Sequence, residues 1–160
     1  MDTRVLSAPG RQIAALPLRR NARGELQVLM VTSRGTGRWV MPKGWQMDGR
    51  KPWKAAEIEA LEEAGALGHV GTTAIGQYHY DKVLDDGEIL PCRVDVFPMM
   101  VDRLKRNWKE RHQRRRHWFS PRQAAKRVDE PDLAALLLGL EKKPHKRPEL
   151  RPLLKGAKSG

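Results

Sequence analysis

The sequence has little cysteine, few aromatic residues and no long apolar run. Its one cysteine, Cys92, cannot form an intrachain disulfide, which argues against a disulfide-stapled secreted domain and fits a reducing cytoplasm. No stretch approaches the roughly 18–20 consecutive apolar residues that span a bilayer. Residues 1–7 also lack the apolar core of a signal peptide. We therefore expect a cytoplasmic protein without a membrane span.

Acidic residues are scarce relative to basic ones. The 160 residues contain 31 Lys or Arg against 19 Asp or Glu, a formal net charge of +12. The excess is concentrated in residues 103–116, with eight Lys or Arg and one acid, and in residues 142–160, with seven and one. Such a surface attracts polyanions, which include nucleic acid, anionic lipid and small molecules dense in phosphate.

The length suits one domain with a sizeable core. We expect a flexible N-terminus over residues 1–10, a folded domain over 11–140 and a basic flexible tail over 141–160, where proline and glycine disfavour a stable element. Apolar patterning and turn signals predict strands over 12–18, 26–31, 39–41, 69–80, 88–101 and 117–119, and helices over 52–64, 120–128 and 131–140. This order predicts an α/β fold, an α/β/α sandwich on a mixed β-sheet.

Three carboxylates share one face of the first predicted helix. Glu59, Glu62 and Glu63 stand at positions i, i+3 and i+4, whose Cβ atoms lie roughly 5–6 Å apart on a helix. Like charges repel, so the helix gains nothing from this cluster unless a cation binds it, and carboxylate oxygens suit Mg²⁺ or Mn²⁺. Most Glu-rich helices are simply solvated surface helices, so these three residues alone do not establish a metal site. Gly65 is placed to end the helix.

The wider pattern resembles the Nudix box. Gly44 matches the glycine that opens the box, and Glu59, Glu62, Glu63 and Gly65 match its closing Glu-x-x-Glu-Glu-x-Gly cluster, within the 23 residues from 44 to 66. The resemblance implies the Nudix fold and metal-dependent hydrolysis of a phosphoanhydride. It also implies Mg²⁺ or Mn²⁺ held by the three glutamates and the Gly44 carbonyl, with Glu62 and Glu63 as the catalytic residues.

Two positions of the box depart from the family pattern. Its seventh residue is normally Glu and is Arg50 here, and its fifteenth is normally Arg and is Ile58 here. Removing one member of a buried ion pair is costly, whereas replacing both can be nearly neutral. Our hypothesis is that the two changes compensate. A degenerate, non-catalytic Nudix domain is the alternative.

The residue that acts as the general base is a separate question with two candidate answers. It is either Glu63 or one of the acidic residues of the turn at Asp85, Asp86 and Glu88.

Segments outside the box resemble one branch of the family. Residues 37–44 and 118–125 are similar to the diphosphoinositol polyphosphate phosphohydrolases and diadenosine polyphosphate hydrolases. That resemblance implies a small, phosphate-rich substrate, in agreement with the basic charge. The candidate phosphate contacts, each of which could instead be a solvated surface side chain, are Arg34, Arg38, Lys43, Arg114 and Arg116. A basic nucleic-acid-binding module is a possible but less favoured reading, and an RNA-end pyrophosphohydrolase is a third.

Overall fold

The computed structural model describes residues 10–155. Within them, eight strands form one sheet: β1 (Gly10–Arg20), β2 (Leu26–Thr32), β3 (Trp39–Val40), β4 (Lys43–Trp45), β5 (Ala66–Val70), β6 (Gly76–Val83), β7 (Ile89–Leu104) and β8 (Arg116–Phe119). The helices of this part are α1 (Pro52–Ala64), α2 (Pro121–Arg127), α3 (Pro131–Gly139) and α4 (Arg151–Lys155), with a 3-10 turn at Pro144–Lys146. None of these helices is long and apolar enough to cross a bilayer.

The sheet is mixed and is built around two long parallel strands, β1 and β7. The free side of β1 pairs antiparallel with β4 near its start and with β2 near its end. The free side of β7 pairs antiparallel with β6 and then with β5. β2 continues the sheet to β3 and β8. The short β4 therefore lies beside the centre of the sheet, and it leads directly into α1.

Two prolines lie inside the central strands at the points where the outer partner changes. Pro17 falls between the part of β1 paired with β4 and the part paired with β2. Pro98 falls between the part of β7 paired with β6 and the part paired with β5. A proline has no N–H to donate to a ladder. Both residues are tolerated in central strands because the neighbouring strand is interrupted where their N–H would have been needed.

Each face of the sheet carries its own core. Along β1, Ala14, Leu16 and Leu18 are buried with α2, α3 and α4, whereas Ile13 and Ala15 are buried with α1. The face of α1 is made of small residues, Ala55, Ala56, Ala60 and Ala64, all fully buried. Small side chains let this helix pack close to the sheet. Helices on both faces confirm the predicted α/β/α sandwich on a mixed sheet.

Helix α2 begins with a capping box. The Ser120 hydroxyl accepts from the Gln123 backbone N–H at 3.1 Å, and the Gln123 side chain accepts from the Ser120 N–H at 3.1 Å. Pro121 follows at the first helical position, where its missing N–H has no helical partner to lose.

The structure differs from the expectation in three segments. β4 (Lys43–Trp45) is a strand that the sequence does not predict. The strand predicted over residues 69–80 is two strands, β5 and β6, which pair with successive parts of β7 on either side of Pro98. The tail expected to be flexible over 141–160 is folded as far as it is described. Leu150 and Leu154 are buried in the core cluster that also contains Leu133 and Leu137 of α3. Two leucines four residues apart anchor this stretch despite its prolines and charge. Residues 1–9 and 156–160 of the predicted terminal segments lie outside the described residues.

Candidate active site

The glycine that precedes α1 provides space for the first glutamate. Gly44 lies opposite Ile13 in the β1–β4 ladder, on the face of the sheet that α1 covers. A Cβ built on Gly44 would lie 2.6 Å from the Glu59 Cδ, which no real side chain permits. Any other residue at this position would therefore displace the Glu59 carboxyl group. The close approach gives a physical reason for glycine at the start of the motif.

Glu63 lies one helical turn beyond Glu59 and is buried, with 6% of its surface exposed. Its Oε1 accepts a hydrogen bond from the Lys43 backbone N–H at 3.3 Å, and its Oε2 lies 3.7 Å from the Arg114 Nη2. The Glu59 and Glu63 carboxyl groups also share a hydrogen bond. Both oxygens of Glu63 are thus oriented by groups outside α1.

Burial sets the acidity of this pair. It raises the pKa of Glu63 from 4.5 to about 8, a shift that the Arg114 guanidinium opposes and the hydrogen bond with Glu59 reinforces. Burial likewise raises the pKa of Glu59, and the neighbouring carboxylates Glu62 and Glu110 add to the rise. The site is therefore an unfavourable place for negative charge unless a cation binds there.

Glu62 has a different partner. Its Oε2 lies 3.5 Å from the Lys109 Nζ, in a partly exposed ion pair. The shared helix face that the i, i+3 and i+4 spacing predicts is present, but only Glu59 and Glu63 are brought together with the Gly44 backbone.

The C-terminal end of α1 is held by the β7–β8 loop (residues 105–115). Four successive carbonyl groups that have no partner inside the helix accept from it or from β8. The Glu110 N–H donates to Glu62 O at 3.1 Å, the Trp108 Nε1 to Glu63 O at 3.0 Å, the Arg116 Nη1 to Ala64 O at 2.8 Å and the Lys105 N–H to Gly65 O at 2.8 Å. These four hydrogen bonds therefore fix the position of the helix that carries the glutamates at its end nearest to Glu63.

Gly65 ends the helix, as the sequence predicts. Its φ of 64° is left-handed, a conformation that favours glycine. A Cβ there would also lie 2.9 Å from the Arg116 Nη1 and 3.0 Å from the Trp108 Cγ. The last glycine of the motif is thus required both by its backbone and by the loop that packs over it.

Arg114 is buried at the centre of this loop, with only 9% of its side chain exposed. Its Nε donates to the Glu110 Oε1 at 2.7 Å and its Nη1 to the Thr32 carbonyl at 3.0 Å, while Nη2 faces Glu63. Arg116 is engaged as well, since its guanidinium stacks 3.8 Å above the Trp108 ring and caps α1. Both side chains, predicted as phosphate contacts, have internal partners in this structure.

The other three predicted contacts lie in different surroundings. The exposed Arg34 donates to the Gln113 Oε1 at 3.1 Å and lies 4.0 Å from the Glu110 Oε1. The Lys43 ammonium lies 3.3 Å from the Tyr80 hydroxyl, and burial lowers its pKa although the Glu63 charge opposes this. Arg38 is bound to Asp129 at 2.5 Å and to Glu130 at 3.8 Å. Of these three, Lys43 lies within the electrostatic reach of Glu63, whereas Arg34 lies beside Glu110.

A divalent cation fits the donors that are present. Within residues 10–155, no three carboxylate, imidazole or thiol side chains form a ready-made metal site. The donors that do meet are Glu59, Glu63 and the backbone at Gly44. Mg²⁺ keeps several waters and is usually held by one or two protein carboxylates together with substrate phosphates, so two carboxylates are a sufficient protein share. A bound cation would also neutralise the negative charges of the Glu59 and Glu63 carboxylates, which burial makes unfavourable.

Glu110 and Trp108 are parts of the site that the sequence did not indicate. Their contacts with α1 join residues more than 40 positions apart, which no local pattern reveals. A signal was nevertheless present, because Glu110 is the single acid in the basic stretch 103–116. An isolated acid among eight basic residues is a candidate for an internal partner of one of them.

Comparisons with known proteins find sequence relatives and solved structures of similar fold. No protein-family profile matches the chain. Two curated relatives from Arabidopsis thaliana do: Nudix hydrolase 12, mitochondrial, is 31% identical over 103 residues, and Nudix hydrolase 17, mitochondrial, is 33% identical over 101 residues. Each alignment covers 62% of this chain and 51% or 53% of the relative. The chain thus spans about half the length of the curated relatives it matches.

Solved structures share the fold. A NUDIX hydrolase from Nitrosomonas europaea superimposes with a TM-score of 0.65 at 22% identity, over 91% of this chain and 95% of that one. The C. elegans Ap4A hydrolase superimposes with a TM-score of 0.59 at 18% identity, over 82% and 95%. These structures confirm the fold that the motif predicts. The two Arabidopsis relatives confirm the resemblance of the sequence to Nudix hydrolases.

Proposed function

We propose that this chain, which has the Nudix fold and is related in sequence to Nudix hydrolases, hydrolyses a phosphoanhydride bond by attack of water on phosphorus. The observation that carries the proposal is the Glu59–Glu63 pair. The Glu59 carboxyl lies against the backbone of Gly44, where a side chain would exclude it, and Glu63 is buried beside it. A buried and a half-buried carboxyl group side by side have no evident structural benefit, because burial opposes their ionisation.

The position of each residue indicates its role in the proposed reaction. Glu59 and Glu63 would hold a Mg²⁺ or Mn²⁺ ion with the Gly44 carbonyl, and Glu62 would contribute through water. Such an ion neutralises phosphate oxygens and lowers the pKa of a water bound to it. We also assign the role of general base to Glu63, since the Lys43 N–H fixes one of its carboxylate oxygens at 3.3 Å.

We further propose a substrate rich in phosphate, of the dinucleoside polyphosphate or diphosphoinositol polyphosphate type. The net charge of +12, the position of Lys43 near Glu63 and the position of Arg34 beside Glu110 support it. The name of the C. elegans structure, an Ap4A hydrolase, points in the same direction. Lys43 would contact a phosphate as a point charge, whereas Arg34 could contact two oxygens with its fork. A cytoplasmic site of action is part of the same proposal.

The test is a panel of phosphoanhydrides assayed with Mg²⁺ and with Mn²⁺. The panel contains diadenosine polyphosphates, diphosphoinositol polyphosphates, ADP-ribose and triphosphate-ended RNA, with the products identified by mass. Hydrolysis in water labelled with ¹⁸O shows which phosphorus is attacked. We expect turnover that requires a divalent ion, and label in a single phosphate-containing product.

Matched variants connect the activity to the site. Glu63→Gln should abolish hydrolysis without unfolding the protein, and Glu59→Gln should do so to a similar or lesser degree. Glu57→Gln is the control, because Glu57 is an exposed carboxylate on α1 that pairs with Lys54. Folded Glu63→Gln and Glu59→Gln proteins with wild-type turnover would show that the assigned site is wrong. Tight binding of RNA without turnover of any substrate would favour a degenerate, nucleic-acid-binding domain.

A further inference from the structure

Arg114 makes three different contacts with one buried guanidinium. Nε, Nη1 and Nη2 face the Glu110 carboxylate, the Thr32 carbonyl and the Glu63 carboxylate, at 2.7, 3.0 and 3.7 Å. These partners belong to the β7–β8 loop, the end of β2 and α1. The side chain is 9% exposed, so it does not project into solvent, where a substrate phosphate would have to approach it. The Arg114 side chain therefore connects these three elements in the interior of the protein.

The motif itself supplies no cation at this place. The arginine expected at the fifteenth box position is Ile58, and the glutamate expected at the seventh is Arg50, which is exposed in the loop before α1. Three carboxylates, Glu59, Glu63 and Glu110, interact electrostatically with one another and with Arg114.

We infer that Arg114 is the positioning residue of this site and supplies, from outside the motif, a cation that the motif lacks at Ile58. The inference rests on the proposed function for the reaction concerned, but its geometry does not. Arg114 fixes the Glu63 carboxylate from the side opposite to the Lys43 N–H, and it anchors that contact to Glu110 and to β2. Only a guanidinium can do this, since its planar fork addresses several acceptors in fixed directions whereas an ammonium is a point charge.

The test compares three variants of the full chain. Arg114→Met removes the cation, and Arg114→Lys keeps the charge but loses the fork. Arg106→Met is the control, because it makes the same change of charge at an exposed position of the same loop. Binding of Mn²⁺ alone to the substrate-free protein is measured by electron paramagnetic resonance, with folding checked by circular dichroism. Kinetics with the best substrate of the panel are then measured at saturating Mg²⁺.

We expect Arg114→Met to weaken Mn²⁺ binding by about 10–100-fold, the usual cost of losing a group that orients a metal ligand. Arg114→Lys should fall between Arg114→Met and the wild type, and Arg106→Met should match the wild type. Simple charge repulsion predicts the opposite sign, because removing a cation makes the site more negative and should tighten Mn²⁺ binding. In kinetics, kcat should fall while KM changes by less than about twofold, since Arg114 does not touch the substrate.

The outcomes separate this inference from the proposed function. Wild-type or tighter Mn²⁺ binding by folded Arg114→Met overturns it, and so does a raised KM at unchanged kcat, the signature of a phosphate contact. If Arg114→Met does not fold, Arg114→Lys decides by the same criteria. Weaker Mn²⁺ binding in a protein that hydrolyses none of the panel would leave Arg114 as the positioning residue of a metal site and reject only the reaction.

Discussion

The indole Nε1 of Trp108 donates a hydrogen bond to the backbone carbonyl of Glu63, 3.0 Å away. Trp108 thereby satisfies a carbonyl of the last turn of α1 that has no partner inside the helix. Its ring also supports the Arg116 guanidinium, which caps the next residue, Ala64. The orientation of the helix that carries the glutamates therefore depends on a loop that begins 40 residues later in the chain.

Replacing Trp108 tests this dependence. Trp108→Phe keeps an aromatic ring but leaves the Glu63 carbonyl without its donor, so we expect the free energy of unfolding to fall by about 1–3 kcal/mol. Urea unfolding at constant pH measures the change. Trp45→Phe is the control, because the Trp45 side chain is 45% exposed. Equal stability losses in the two variants would contradict a special role for the Trp108 hydrogen bond.

The acidity of Glu63 predicts how the stability of the metal-free protein depends on pH. Burial raises the pKa of Glu63 to about 8, against 4.5 for an ordinary glutamate. Between these values the folded state binds more protons than the unfolded state, so the contribution of Glu63 to stability is greatest below pH 4.5 and is lost as the pH rises to about 8. Glu63→Gln cannot titrate, so in EDTA it should gain stability relative to the wild type between pH 5 and 8.

Unfolding in denaturant at several pH values, for the wild type and Glu63→Gln, measures this difference. Glu57→Gln, with an exposed carboxylate on the same helix, should show no such trend. Adding Mn²⁺ at pH 8 should stabilise the wild type more than Glu63→Gln, because a bound cation favours the ionised carboxylate. A stability difference that stays constant with pH would show that Glu63 is not strongly perturbed.

The contact between Gly44 and Glu59 can be tested with one methyl group. In Gly44→Ala the added Cβ would meet the Glu59 carboxyl, so we expect the carboxyl to move and hydrolysis to fall by about tenfold or more. Gly35→Ala is the control, because nothing lies within 4 Å of a Cβ built there. Values of kcat/KM and unfolding temperatures of both variants check this. Wild-type turnover by Gly44→Ala would show that the Glu59 position does not matter to the reaction.

The two departures from the motif predict a coupled pair of substitutions. Ile58→Arg alone should not raise activity, because its acidic partner is absent. Combining it with Arg50→Glu should perform better than either change alone, since the double variant restores both members of an ion pair. Activities of the four proteins form a double-mutant cycle, whose coupling energy measures the interaction. Additive effects would remove the argument that Arg50 and Ile58 compensate for one another.

Local signals explain which features the sequence predicts well. Helix α1 has the predicted bounds, because Pro52 is suited to its first turn and Gly65 adopts the left-handed conformation that ends it. The Asp86–Gly87 turn between β6 and β7 is formed as expected, with φ of 86° at the glycine. Each of these depends on residues within a few positions of one another, so the information is present in a short window of sequence.

Contacts between distant segments explain what the sequence did not predict. The basic stretch 103–116 indicates only a charged surface, yet its Arg114 and Arg116 turn inward to Glu63 and Ala64, about 50 residues away. Nothing in a window around either segment specifies that pairing. The same holds for Leu150 and Leu154, whose burial depends on the core cluster beneath α3 rather than on their own neighbours.

The choice of substrate should depend on Lys43 and Arg34. Each charge-assisted phosphate contact contributes about 1.5–3 kcal/mol, so two contacts that a longer phosphate chain makes and ADP-ribose does not could shift selectivity by about two to four decades. We expect Arg38 to contribute less to this selectivity than Lys43 or Arg34, because Asp129 lies 2.5 Å from the Arg38 guanidinium. We therefore expect kcat/KM to be higher for diadenosine polyphosphates or diphosphoinositol polyphosphates than for ADP-ribose.

Substitution and salt distinguish these contacts from a general attraction of polyanions. Lys43→Met and Arg34→Met should each lower kcat/KM for the long phosphate chains more than for ADP-ribose, whereas Arg23→Met, in the exposed turn after β1, should change neither. Rising salt should erode the preference, because exposed charges are screened within about 10 Å at 0.1 M ionic strength. General attraction instead predicts that all three variants lose affinity for any polyanion alike. A kcat/KM for ADP-ribose above that for diadenosine polyphosphates at physiological salt would reject the proposed substrate class while leaving the Glu59–Glu63 site intact.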